Sequence, residues 1–159
     1  MTMQSAITPV RASIVVEAPI ERVFGAFTAE MGSWWPAANH ILTAELDRMV
    51  FEPRVGGHIY DVGVDGSESH WARVLAYEPP HRFVFSWDIT LQWQLETDPE
   101  RTSEVEVRFI AESGDRTRVE LEHRGLERHG EGYESMAAAV GSPNGWNGGL
   151  EAFARYLAG

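Results

Sequence analysis

The chain has 159 residues and a mass of 17.8 kDa, room for one ordinary hydrophobic core but not two. Thirteen basic residues, all arginine, stand against 24 acidic ones, a net charge of −11. That balance disfavours binding to phosphate backbones, and the lack of lysine and cysteine removes Schiff bases, phosphate-loop lysines, disulfides, thiolate metal sites and cysteine nucleophiles. No apolar run exceeds five residues (Met136 to Val140), far short of the roughly 20 a membrane span needs. The N-terminal stretch has no apolar segment of signal-peptide length, so a cytoplasmic protein is expected.

Ala12 to Glu17 is short and β-branched, as a strand requires. Pro19 suits the first position of a helix, and Ile20, Val23, Phe24 and Phe27 follow at helical spacing. Gly32 and Pro36 bracket the Trp34-Trp35 pair, so the helix is expected to stop or break there. Residues 37–45 show no assignable pattern. A meander follows, with strands expected at 46–52, 57–64, 68–77, 82–88, 104–111 and 116–123. Turn residues separate them: Pro53 with Gly56-Gly57, Asp65-Gly66, Pro79-Pro80 and Gly114-Asp115. Ile89 to Ser103 reads as a loop or a strand extension. No repeat or linker divides the chain, so residues 1–159 read as one domain with its core from about 11 to 158.

The last two strands alternate cleanly. Val105, Val107 and Phe109 oppose Glu104, Glu106 and Arg108; Thr117, Val119, Leu121 and His123 oppose Arg116, Arg118, Glu120 and Glu122. One face is therefore wet and the other covered. The cover is expected at the C-terminus, where Ser142 can cap, Pro143 can start a helix, and Trp146, Leu150, Phe153 and Leu157 form one apolar stripe. Gly141, Gly145, Gly148 and Gly149 crowd its first half, fitting either close approach to the sheet or a movable lid.

Three stretches sharpen this order of elements: Phe51 to His58 (FEPRVGGH), Ala72 to Trp87 (ARVLAYEPPHRFVFSW), and Thr117 to Leu126 (TRVELEHRGL), with Gly145-Trp146 opening the last helix. Together they resemble the START-like (SRPBCC) superfamily, and within it the bacterial proteins named after the activator of the heat-shock chaperone ATPase. The resemblance implies an α+β helix-grip (START/Bet v-like) fold, a curved antiparallel sheet of six or seven strands wrapped around a long C-terminal helix. It also implies an apolar cavity between them, and relatives that bind lipids, polyketides or hormones, act as cyclases, or stimulate a chaperone ATPase.

Six histidines are present, none at zinc-protease spacing, and no metal or cofactor is expected. G-x-S-x-G is absent, and nothing in the spacing joins Asp61 to Glu68 as an acid–base pair. No catalytic residue is assigned. His123 falls on the covered face and reads as a hydrogen-bonded core histidine. His58 and Tyr60 share one strand face, and by simple alternation Trp71 and Arg73 share another; they either line the cavity or point outward. Most tryptophans read as core, but Trp34 and Trp35 fall where a cavity mouth would lie. The expected ligand-binding set is Trp35, His58, Tyr60, Trp71, Arg73, Trp87 and Trp146, with Phe85 and Phe153 as apolar wall. An empty apolar void of about 300 Å³ would cost on the order of 7 kcal/mol against a total stability of about 5–15 kcal/mol. A collapsed, hydrated or ligand-filled cavity is therefore expected.

The favoured reading is a noncatalytic module that binds a hydrophobic or aromatic small molecule or lipid. The resemblance adds a co-chaperone activator with a chaperone partner. A third reading is a cyclase or hydrolase using His58, Arg73 or Glu68. A homodimer is compatible with all three.

Overall fold

The computed structural model describes residues 8–36 and 39–159; Ala37 and Ala38, within the unassigned 37–45 stretch, lie outside them. The elements in chain order are β1 (Val10–Val16), α1 (Ile20–Thr28), α2 (Met31–Trp34), β2 (Leu46–Phe51), β3 (His58–Gly63) and β4 (Glu68–Glu78). Then come β5 (Arg82–Trp87), β6 (Ser103–Ser113), β7 (Arg116–Arg124), α3 (Tyr133–Val140) and α4 (Trp146–Ala158). The strands form one seven-stranded sheet in the order β1-β7-β6-β5-β4-β3-β2, antiparallel at every pairing. Each hairpin step joins neighbours in sequence, while β1 reaches across to the far side of β7. The sheet curls, and α4 packs against its concave side, giving the α+β helix-grip arrangement.

The concave face is aromatic because alternate strand positions are. Phe83 and Phe85 on β5 and Phe109 on β6 lie at 0–2% exposure, with Phe24 and Phe27 of α1 packed onto them. Phe153 of α4 closes the cluster, 4.9 Å from Phe27 and 5.1 Å from Trp34 between ring centroids. Leu150 is 2% exposed and Trp146 6%, so the expected stripe does cover the sheet. The space beneath the middle of α4 is thus filled by side chains. These edge-to-face pairs contribute about 0.5–1.5 kcal/mol each beyond their buried area.

Several local expectations shift. Pro19 is the residue before α1 rather than its first turn, and α2 is a separate short helix that ends on the tryptophan pair. Helix α4 begins at Trp146, not Pro143, because the Ser142 hydroxyl donates to the Ala139 carbonyl and closes α3 instead. Gly145, before α4, and Gly148, in its first turn, answer to that turn rather than to the sheet. A Cβ on Gly145 would stand 2.1 Å from the Val140 carbonyl oxygen, and one on Gly148 would stand 2.6 Å from that of Pro143.

Two register shifts matter for the site. On β4, Ala72 opposes Ile59 and His70 opposes Tyr60, leaving Trp71 as the extra residue of a bulge. The phase of the strand changes there. Trp71 turns into the core at 3% exposure, and Arg73 turns to the other face. The simple alternation that placed both on one face therefore fails. A second shift, between Val74 and Ala76, restores Tyr77 to the inner side against Phe24.

Candidate functional site

Space remains where the sheet opens beyond the start of α4. A cavity of about 440 Å³ lies between the segment after α2, the end of β5, the loop that follows it, and the α3–α4 turn. Its wall includes Trp35, His40, Trp87, Trp93, Val140 and Trp146. Four of the six tryptophans in the chain stand around it.

Helix α2 explains why the adjacent pair Trp34 and Trp35 separates. Trp34 ends the helix facing inward, its indole N–H donating to the Ala26 carbonyl at 3.2 Å. Trp35 leaves the helix in extended conformation and reaches the cavity, its own N–H held by the Asn39 carbonyl at 3.2 Å. It sits 5.1 Å from Trp71 and 5.8 Å from Trp146; Trp87 is 5.4 Å from Trp146 and 5.9 Å from Trp71. Trp71 thus backs the wall that the other three present. Trp93, on the loop after β5, is 44% exposed and held at φ 62°. The Thr90 carbonyl and hydroxyl bind the backbone N–H groups around it and stabilise this uncommon conformation.

Trp146 is fixed from behind by a buried polar chain. Its indole N–H donates to His123 Nδ1 at 3.1 Å, so the hydrogen of neutral His123 lies on Nε2. That N–H donates to Ser103 Oγ at 2.7 Å, and the Ser103 hydroxyl in turn donates to His129 Nε2 at 2.7 Å. His129 then carries its hydrogen on Nδ1, a buried atom with no partner among the described residues. Burial first, then the charge of His129, push the His123 pKa down to about 3; burial also lowers that of His129. Both rings are neutral across the physiological range.

A second polar pair reaches the cavity through one member, His40, with Asp61 behind it. His40 Nδ1 lies 2.8 Å from Asp61 Oδ2, with side-chain exposures of 8% and 1%. Asp61 comes from the inner side of β3, two residues after the core residue Ile59, and His40 from the segment that follows Trp35. The other carboxylate oxygen, Asp61 Oδ1, is buried and unpartnered among the described residues, as is Trp87 Nε1.

Of the nine residues expected to bind ligand, Trp35, Trp87 and Trp146 line this cavity. Trp71 stands behind it, while Phe85 and Phe153 are sealed in the aromatic core. His58, Tyr60 and Arg73 stand on the opposite face of the sheet. His58 pairs across strands with Arg73, and Tyr60 with His70, whose ring it stacks on at 4.1 Å. Arg73 forks onto Asp88 at 2.9 and 3.0 Å, and His58 Nδ1 contacts His70 Nδ1 at 2.8 Å. Sequence reasoning missed His40, Trp93 and the α3–α4 turn as wall. His40 lies in the stretch without periodicity, so only its proximity to Trp35 in the chain hinted at a place near the mouth.

A seven-stranded curled sheet, a gripping C-terminal helix and a cavity at one end define a helix-grip protein. The chain belongs to the family described as activator of Hsp90 ATPase homolog 1-like proteins, whose pattern matches residues 17–158. Among solved structures it is similar to Txn09, an anthrahydroquino-γ-pyrone synthase, at 40% identity and a TM-score of 0.66, covering 96% of this chain and 99% of that one. It is also similar to CalC of Micromonospora echinospora, a self-sacrificing resistance protein, at 26% identity and a TM-score of 0.63, covering 94% and 93%. CalU16 from the same organism is 26% identical with a TM-score of 0.58, covering 92% and 72%. No match is found among curated proteins.

Proposed function

We propose that the protein binds a planar, fused-ring aromatic small molecule in the tryptophan-walled cavity. The observation that carries this is the set of four indoles around about 440 Å³ of space, a volume within the range of small-molecule sites. Aromatic faces favour flat π-systems over flexible acyl chains, because offset and edge-on ring contacts reward fixed geometry. The likeness to a synthase of a fused aromatic product, at 40% identity along almost the whole chain, supports the same ligand class. The aromatic core beneath α4 gives no comparable room for a long lipid tail.

Trp93 offers the cleanest test, since it is 44% exposed and its removal leaves the core intact. Titration of the protein with anthraquinone, followed by quenching of tryptophan fluorescence, is expected to saturate. Trp93→Ala should weaken that binding by about tenfold, the loss of roughly 1.4 kcal/mol of ring contact, while moving the urea midpoint little. A wild-type titration that never saturates, or a variant that binds as well as wild type, would remove the basis for the assignment.

A further inference from the structure

We infer that His40, braced by Asp61, is the proton acceptor for an acidic hydroxyl, a phenol or an enol, carried by the aromatic molecule in the tryptophan cavity. This deepens the reading above and rests on it. An ionised carboxylate only accepts hydrogen bonds, so the 2.8 Å contact puts the hydrogen of His40 on Nδ1 and leaves the Nε2 lone pair free. Nε2 makes no hydrogen bond with any described residue, and His40 belongs to the cavity wall.

The surroundings say what should approach it. Asp61 is 1% exposed, and its Oδ1 has no partner among the described residues, an expensive arrangement for a buried carboxylate. A proton delivered to Nε2 converts the His40–Asp61 contact into an ion pair and offsets that cost, as a carboxylate behind a histidine does in hydrolase triads. The ligand must bring this proton. An acid already ionised in water would arrive without one, and no arginine stands in the cavity wall to receive its charge. A weakly acidic hydroxyl on an aromatic ring meets both conditions. The O–H bond breaks heterolytically, its electron pair stays on the ligand oxygen, and the proton forms the new N–H bond at Nε2. Nothing else is consumed.

A hydroxyanthraquinone, yellow as the phenol and red as the phenolate, reads the transfer directly. Its spectrum is recorded with excess protein at a pH where the free dye is neutral, alongside its O-methyl ether, which cannot ionise. The wild-type protein is expected to bind both compounds and to redden the hydroxyl compound alone, raising its phenolate fraction by about tenfold or more. Dye bound to His40→Gln at saturating protein should stay yellow whatever its affinity, and Asp61→Asn should give an intermediate colour. Dye that binds the wild type yet stays yellow, or reddens equally with His40→Gln, overturns the role of His40 and leaves the cavity assignment standing. Failure of the wild type to bind either compound overturns the cavity assignment and the proton transfer together. The ether and the wild-type spectrum keep the test decisive even where a variant misfolds.

Discussion

At the scale of single residues, the buried histidines set an acid sensitivity. His123 has an ordinary value of 6.5 when unfolded and about 3 when folded, lowered by burial first and by His129 second. The unfolded chain therefore binds the proton more readily, so stability is intact above pH 6.5 and falls as the pH drops toward 3. His129 shifts in the same direction. Urea midpoints are expected to fall between pH 7 and pH 5, with each such group contributing at most about 1.4 kcal/mol per pH unit. His123→Gln should be less stable at pH 7 and show a shallower pH slope; an unchanged slope would mean that His123 does not titrate on unfolding. The sequence made this histidine legible, because strict alternation on β7 sends it inward with Val119 and Leu121. It did not make Arg73 legible. Its orientation depends on one unpaired residue, Trp71, and a bulge leaves no mark that alternation can read.

At the scale of elements, the α3–α4 junction carries the sharpest contrast. Gly145→Ala would drive a methyl group to 2.1 Å from the Val140 carbonyl oxygen, which the backbone can relieve only by opening the turn. A destabilisation of about 2–4 kcal/mol is expected from equilibrium unfolding, within the range of overpacking and backbone strain. Gly149 is the opposite case. It lies in the first turns of α4, lines the cavity, and has nothing within 4 Å of an added Cβ. Gly149→Ala should raise stability by about 0.5–1 kcal/mol through helix propensity while narrowing the binding space, so affinity for anthraquinone should fall as the urea midpoint rises. The six strands of the meander were legible to within about two residues because turn chemistry and period-two patterning agree along them. Helix α3 was not: its Ala137-Ala138-Ala139 run has no periodic apolar face, and no side chain caps its start.

At the scale of the molecule, the convex face is held by charge. Glu106, 4% exposed, receives Arg82 and Arg124 at 2.5 Å and Arg108 at 2.8 Å, tying β5, β6 and β7 together. Burial would raise its pKa, but the hydrogen bonds from Arg108, Arg124 and Arg82 prevail and hold it at about 2. Its contribution is complete above 4.5 and is lost as the pH falls toward 2, a window that begins and ends lower than that of His123 and overlaps it. Glu106→Gln is expected to cost about 3 kcal/mol at pH 7 by leaving clustered arginines without their shared carboxylate, and to make the loss of stability below pH 4.5 shallower. The division of labour across the molecule was readable from composition alone only in part. An acidic chain with arginine as its sole cation announces ion pairs, but not that three strands share one of them. The sealed phenylalanine cluster under α4 has a separate evolutionary meaning. Because much of the cavity wall comes from loops and one turn, substitutions can accumulate there without reopening the interior that keeps the chain folded, so one scaffold can tolerate a changing wall.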